Sequence, residues 1–425
     1  MAKRHQQYQR RILRLLRSQG EASRPTLARA LDLSLPTITN IVKRLLDDGI
    51  VVEADYKQST GGRRAALLQL HPDYAHAVGL EVSCSCLRAA RVNLVGEIVD
   101  QEEAPPHRPE CREPELGRIV AVAQAVLERA PRGLVAGLGI GISGIISSGQ
   151  GISVKFPRSE KWVDVPLAAI LSERLGLPTW LENDVQTATL GELRFGDGRS
   201  AESFAYLHLG QGIALGIVAD RRLYEGANGN VGELGHSIIE PEGPICYCGN
   251  YGCLESLASP AAIVRQAQEA ITGAGVESQV LSLAGGDLSA ITIEHVFQAA
   301  ERGDRLASNL VEKAAGYIGL SAANLVNVLS PELLLLAGAM VERGGLALEA
   351  VTRSFRSLVM PSLREVTELR KSRLGRAGCV LGAAALVFDA VVESYPEPPR
   401  KEYAPVEAGR WEQTATTGQN KGHPL

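Results

Sequence analysis

Apolar residues recur at helical spacing through three short stretches at the start of the chain. Ile12, Leu15 and Leu16 predict a helix that begins near Tyr8 and stops at Ser18–Gly20. Leu27, Ala28 and Leu31 predict a second, with Ser23 as its N-cap. After a tight turn at Asp32–Ser34, the stripe Ile38, Ile41, Val42 and Leu45 predicts a third helix, capped by Ser34 and closed by Gly49. Pro36 falls in its first turn, where a missing N–H is no loss. Thr37, Asn40, Lys43 and Arg44 are left on the outward face. From Ile50 to Leu70 the pattern alternates around Gly61-Gly62, which predicts a β-hairpin. Helix, helix, turn, helix, hairpin is the order of a winged helix-turn-helix, whose third helix enters the major groove of DNA. Thr37 and Asn40 would reach base edges, while Lys43, Arg44, Arg63 and Arg64 would neutralise phosphates.

His71-Pro72 ends this head, so residues 1–71 are expected to form one domain. Beyond it, buried-strand patterns alternate with helical ones, which puts the body in the α/β class. Residues 77–101 read as strands joined by short turns, 133–146 as a buried strand running into a glycine-rich turn, and Pro178–Asp184 as a strand ending in Asn183-Asp184. A further glycine-rich hairpin covers 203–226, a long helix 306–330, and a last helix about 379–392. Residues 395–425 are rich in Pro, Gly, Thr and Gln without apolar period and are expected to be a disordered tail.

Charge sharpens this division. Residues 1–70 carry 13 basic and 6 acidic side chains, a net of +7, which leaves −11 for the rest of a chain whose total is −4. A basic head on an acidic body suits a polyanionic partner for the head. No apolar stretch approaches the roughly 20 residues of a membrane span, and Met1–Arg11 has no apolar core of a secretory signal, so a cytoplasmic protein with reduced thiols is expected.

Three of the seven cysteines, Cys246, Cys248 and Cys253, fall within one short loop, with His236 ten residues upstream. Disulfides are not expected in a reducing compartment, and a Cys3His set suits structural Zn²⁺, tetrahedral and closed. A chance cluster of small buried residues and an iron–sulfur centre remain the alternatives. Cys84, Cys86, Cys111 and Cys379 are expected to be ordinary small or buried residues. Glu233, His236 and Glu255 flank the cluster, and Asn183-Asp184 ends a strand, where α/β folds bind ligands. Carboxylates and an amide suit a hydroxyl-rich ligand. Trp162 could line such a cleft or staple the helix that follows it.

The stretches "GELGH" (232–236) and "CYCGNYGCLE" (246–255) resemble the signature of the ROK family of repressors, open reading frames and kinases. "LENDVQTATLGE" (181–192), "NLVNVLSPELLLLAG" (324–338) and "AGCVLGAAAL" (377–386) are similar to its other segments, and the head is similar to that of its repressor branch. The resemblance implies a two-lobed, actin-like and hexokinase-like body. Residues 72–185 would form the small lobe, with the helix about 379–392 returning to it, and 186–378 the large lobe with a zinc loop at 236–253. It also implies sugar contacts by Asn183, Asp184, Glu233, His236 and Glu255, and zinc ligation by His236, Cys246, Cys248 and Cys253, so that His236 would serve both.

Kinases of the family use an aspartate at the position of Asp184 as general base, and they cradle ATP in an Asp-x-Gly-Gly-Thr loop. Here that loop reads Glu81, Ser83, Cys84 and Ser85, the second phosphate segment has Gln211 in place of threonine, and a glycine pair is reduced to Gly338 between alanines. Side chains where backbone N–H groups should meet phosphate argue against nucleotide chemistry. The expectation is a regulator rather than an enzyme, without ATP, with operator DNA and a free sugar inducer as partners, acting as a homodimer or homotetramer away from any membrane. An ATP-dependent sugar kinase carrying a DNA-binding head is the alternative, and a constitutive DNA-binding protein with a vestigial sugar site is a third reading.

Overall fold

The computed structural model describes residues 2–54, 66–105, 112–157, 159–227, 229, 231–273, 275–343, 345–401 and 403. In the head, helices span Ala2–Gln19, Arg24–Leu31 and Leu35–Asp47. The first starts well ahead of Tyr8, because Lys, Arg and Gln favour a solvated helix without needing an apolar stripe. Both expected N-caps form: Thr26 N donates to Ser23 Oγ at 3.2 Å and Thr37 N to Ser34 Oγ at 3.3 Å. Ile12, Leu16, Leu27, Leu31, Ile38, Ile41, Val42 and Leu45 are buried together as the head's core. Strands Val51–Ala54 and Leu67–Leu70 pair antiparallel, with Val51 opposite Leu70. Glu21–Ser23 adds a third strand that three residues were too short to announce. The expected phosphate contacts Arg63 and Arg64 lie outside the described residues.

The chain divides into two units, the first made of residues 1–195 and 377–425, the second of 196–376. The sequence placed the lobe boundaries after 185 and 378. The helix Asp184–Phe195 belongs to the first unit because it packs along the return helix Gly378–Ser394. The two backbones nearly touch: a Cβ at Gly382 would sit 1.7 Å from Thr187 O, so only glycine permits this approach. The return helix is long and apolar enough to cross a membrane by composition, but it is a core helix packed against the first unit's sheet.

That sheet has five strands in the order Thr179–Asn183, Val135–Ile142, His76–Val82, Leu87–Asn93 and Ile98–Ala104. Its first three strands run parallel and the last two continue antiparallel. The second unit repeats this plan. Its sheet runs Glu368–Lys371, Leu333–Ala337, Phe204–Leu209, Ile213–Ala219 and Arg222–Leu223, again three parallel strands followed by two antiparallel ones. In each sheet the earliest strand lies at the centre, flanked on one side by its parallel neighbours and on the other by the antiparallel pair.

Trp162 is fully buried, clusters with Leu167, Ala168 and Leu171 of the next helix, and donates from Nε1 to Ser153 Oγ at 2.9 Å. It staples that helix and lines no cleft. The expected disordered tail also needs correction at its start. Tyr395 is buried, and the Tyr403 hydroxyl donates to Thr179 O at 2.9 Å. Residues 404–425 lie outside the described residues.

Candidate metal centre, polar strand ends and DNA-facing helix

In the second unit the segment from Glu233 to Glu255 folds back on itself through two single bridges, Ile238 with Cys253 and Ile245 with Tyr251. Cys246 N donates to Asn250 O at 2.7 Å, and Gly249 N to Cys246 O at 3.0 Å, which closes a tight knuckle around Cys248. Gly252 is required: its φ is +65°, and a Cβ there would lie 1.5 Å from Glu240 O. The fold brings His236, Cys246, Cys248 and Cys253 together, with one ligand atom from each all within 4.8 Å of one another. Cys248 Sγ lies 3.7 Å from Cys253 Sγ, and Cys246 Sγ lies 3.5 Å from His236 Nδ1. A tetrahedral zinc site with Zn–S bonds of about 2.3 Å has S···S edges of about 3.7 to 3.8 Å, so the donors already stand at ligating separations.

The second nitrogen of the histidine is used as well. His236 Nε2 is hydrogen-bonded to Tyr247 Oη at 2.9 Å, with Glu233 Oε2 3.8 Å away. Such an outer partner holds a ligating ring in place. Burial, reinforced by the adjacent thiols, pushes Cys253 up to about 12, and burial raises Cys246, while the Asn250 backbone N–H draws Cys248 down. Three packed thiolates are costly unless a cation offsets their charge. Four protein donors would leave that cation no open position, so its role would be structural.

Cys253 is the N-cap residue of the short helix Leu254–Ala258, and this places Glu255 beside the glycine-rich loop. Glu255 Oε2 accepts from Ile213 N at 3.0 Å. Glu233 is exposed, whereas His236 and Glu255 are half-buried.

In the first unit Asn183 and Asp184 stand where the edge strand passes into the helix Asp184–Phe195. Asn183 Oδ1 accepts from Val185 N (2.9 Å) and Gln186 N (3.2 Å), and its Nδ2 donates to Gly144 O (3.2 Å). The amide is therefore spent largely on capping the helix and fixing the neighbouring loop. Asp184 Oδ2 accepts a short hydrogen bond from Ser143 Oγ, and Oδ1 accepts from Val185 N at 3.0 Å. Ser143 escaped sequence reasoning: it precedes a glycine in a turn and carries no signal of its own. Cys86 and Cys379 are buried and Cys84 partly so, as expected, while Cys111 lies outside the described residues.

In the head, Thr37, Asn40, Lys43 and Arg44 are all exposed on the third helix. Thr37 Oγ1 shares a 2.7 Å hydrogen bond with the capping Ser34, which fixes its position at the helix N-terminus.

A winged helix-turn-helix head on an α/β body of two matching sheets defines a DNA-binding protein with a ligand-type body. Residues 77–390 match the ROK family and residues 6–52 match the family described as winged helix-turn-helix DNA-binding; the chain belongs to the ROK family. It is 31% identical over 389 residues to a xylose repressor of Caldicellulosiruptor bescii, covering 91% of this chain and 96% of that one. It is 29% identical over 385 residues to the DNA-binding transcriptional dual regulator NagC of Escherichia coli, covering 90% and 92%. Among solved structures it is similar to a ROK family transcriptional regulator, a homologue of the E. coli MLC protein, with a TM-score of 0.75 at 27% identity over 92% of this chain and 98% of that one.

Proposed function

We propose that the protein is a sugar-responsive transcriptional regulator, a repressor released from its operator by a free sugar. The observation that carries this reading is the joining, in one chain, of an exposed groove-reading helix and a ROK body, over the full span of similarity to repressors. Thr37 and Asn40 read base edges, and Lys43, Arg44, Arg63 and Arg64 neutralise phosphate. Asn183, Asp184, Glu233, His236 and Glu255 hold the sugar by hydrogen bonds to its hydroxyls. Zinc bound by His236, Cys246, Cys248 and Cys253 supplies the cross-link that keeps Glu233, His236 and Glu255 in register. A homodimer or homotetramer in the cytoplasm would read half-sites about 34–36 Å apart.

Two geometric features support regulation without nucleotide chemistry. Ser83 Oγ accepts from Cys86 N at 3.0 Å and from Ser85 N at 3.4 Å, so N–H groups that would face a phosphate are already satisfied within the turn. Glu81, in the position of a metal-positioning acid, stands opposite Arg88 in the register of the sheet, and Arg88 meets Glu103 at 3.4 Å. The charge of Glu81, with that of Glu103, acts on the buried Arg88 guanidinium. Under this reading Asp184 orients a sugar hydroxyl and does no catalysis.

The test is a titration of operator binding with D-xylose, N-acetylglucosamine and D-glucose, using DNA fragments selected by the protein from genomic fragments. One sugar should weaken binding by about 5- to 150-fold. ATP-dependent formation of a sugar phosphate by the pure protein would replace this reading with the kinase one.

A further inference from the structure

One cluster of charges in the first unit belongs to neither the sugar contacts nor the DNA face. Arg17, on the first helix of the head, is buried at 7% exposure. Its Nη1 pairs with Asp389 of the return helix, its Nη2 donates to Ala385 O at 3.0 Å, and its guanidinium lies 5.9 Å from the centre of the Phe388 ring. Its Nε has no hydrogen-bond partner among the described residues. Asp389 is shared: Arg194 donates from Nε to Oδ1 at 3.2 Å and from Nη2 to Oδ2 at 3.1 Å. Two guanidinium groups thus draw on one carboxylate, and both reach the same oxygen. Burial lowers Arg17 to about 10, with Asp389 acting against that shift and Arg194 adding to it.

Arg194 sits in the last turn of the helix whose first residue is Asp184. Twelve residues of helix, about 18 Å long, therefore connect the Asn-Asp strand end rigidly to the shared carboxylate. On the other side, the first helix is held to the return helix by Arg17, by Arg10 donating to Tyr395 O at 3.0 Å, and by the exposed Arg14–Glu393 pair. The Tyr395 hydroxyl in turn donates to Asp48, the C-cap residue of the third helix. The Arg14–Glu393 pair is solvated, so its hold on the return helix is weak.

We propose that Asp389 is the positioning residue that passes ligand occupancy at Asn183-Asp184 to the DNA-binding head. Arg194 and Arg17 compete for its carboxylate. A small displacement of the Asp184 helix changes Arg194's share, and with it the hold of the return helix on the first helix. The inference rests on the sugar-responsive reading, because a ligand shifts an equilibrium only through differential interaction with its two states.

The full-length variants Arg194→Gln and Asp389→Asn test it by opposite signs. Arg194→Gln leaves Asp389 to Arg17 alone, so amide exchange over residues 8–19 slows. Asp389→Asn leaves a buried guanidinium uncompensated, so exchange there quickens. Operator affinity must then move in opposite directions in the two variants. By calorimetry with D-xylose, N-acetylglucosamine and D-glucose, Arg194→Gln keeps the wild-type sugar affinity, while the sugar effect on operator affinity falls from about 5-fold or more to about 2-fold or less. An unchanged sugar response in Arg194→Gln overturns the proposal, as do exchange rates that stay fixed or move in the same direction. If none of the sugars binds wild-type protein, the functional reading fails, and the shared carboxylate is judged on exchange alone. If Asp389→Asn does not fold, Arg194→Gln decides: slower exchange supports the proposal, and unchanged or faster exchange overturns it.

Discussion

Replacing Cys248 by serine isolates the contribution of the metal. Cys246 and Cys253 are buried, so truncating either would also open a cavity, whereas Cys248 is exposed and its loss costs no packing. Besides its backbone hydrogen bonds, few large apolar side chains hold the loop. Ile238, Ile245, Tyr247 and Tyr251 are 54%, 62%, 80% and 57% exposed, and the two bridges are single residue pairs. Ordering the backbone of the eight residues from Cys246 to Cys253 costs about 8–16 kcal/mol at 1–2 kcal/mol each. Structural zinc contributes about 10–16 kcal/mol in small zinc domains, which is of the same size. With metal at 1,000 times its dissociation constant, binding stabilises the closed loop by about 4 kcal/mol, so losing it should raise opening about a thousandfold. Elemental analysis after dialysis should find about one zinc per wild-type chain and far less in Cys248→Ser. Hydrogen exchange should quicken across residues 237–256 while residues 38–45 of the head stay protected. Cys84→Ser, outside the cluster, should keep the metal. Retention of zinc and of loop protection by Cys248→Ser would refute both the ligand set and the claim that metal orders the loop.

Gly252→Ala should destabilise the second unit by about 1–3 kcal/mol from backbone strain alone, with its clash against Glu240 O added, measured by urea unfolding. Trp162→Ala should cost about 3–5 kcal/mol in the first unit and leave sugar affinity unchanged once folded; a selective loss of sugar binding at full stability would return Trp162 to a cleft. Ser34→Ala removes the cap of the third helix and should cost about 1 kcal/mol of thermal stability. Lys43→Ala should lower the log–log salt slope of operator binding by about 0.9, whereas Asn40→Ala should relax discrimination at one base pair by about 1–3 kcal/mol, both read by fluorescence anisotropy.

The features legible along the chain were those whose partners lie nearby in it. The stripe Ile38, Ile41, Val42, Leu45 and the caps Ser23 and Ser34 are set within a turn or two of backbone, so periodicity and capping chemistry reveal them. The four candidate metal ligands fall within eighteen residues, and thiol chemistry narrows what they could hold. Asn183 and Asp184 were visible as a polar pair ending an apolar strand, although nothing local showed that the Asn183 amide is taken up by the helix it caps. The rest required chain segments far apart to meet. Tyr395 and Tyr403 read as tail by composition, yet Tyr395 is buried and Tyr403 half-buried against surfaces formed by other segments. The helix Asp184–Phe195 joined the first unit because Gly382 and Thr187, almost two hundred residues apart, fit together. The matching order of the two sheets, and the meeting of Arg17, Arg194 and Asp389, likewise depend on which surfaces pack. Local propensity follows from each residue's own backbone and neighbours. Long-range pairing follows from shape and charge complementarity that exists only once both surfaces have formed.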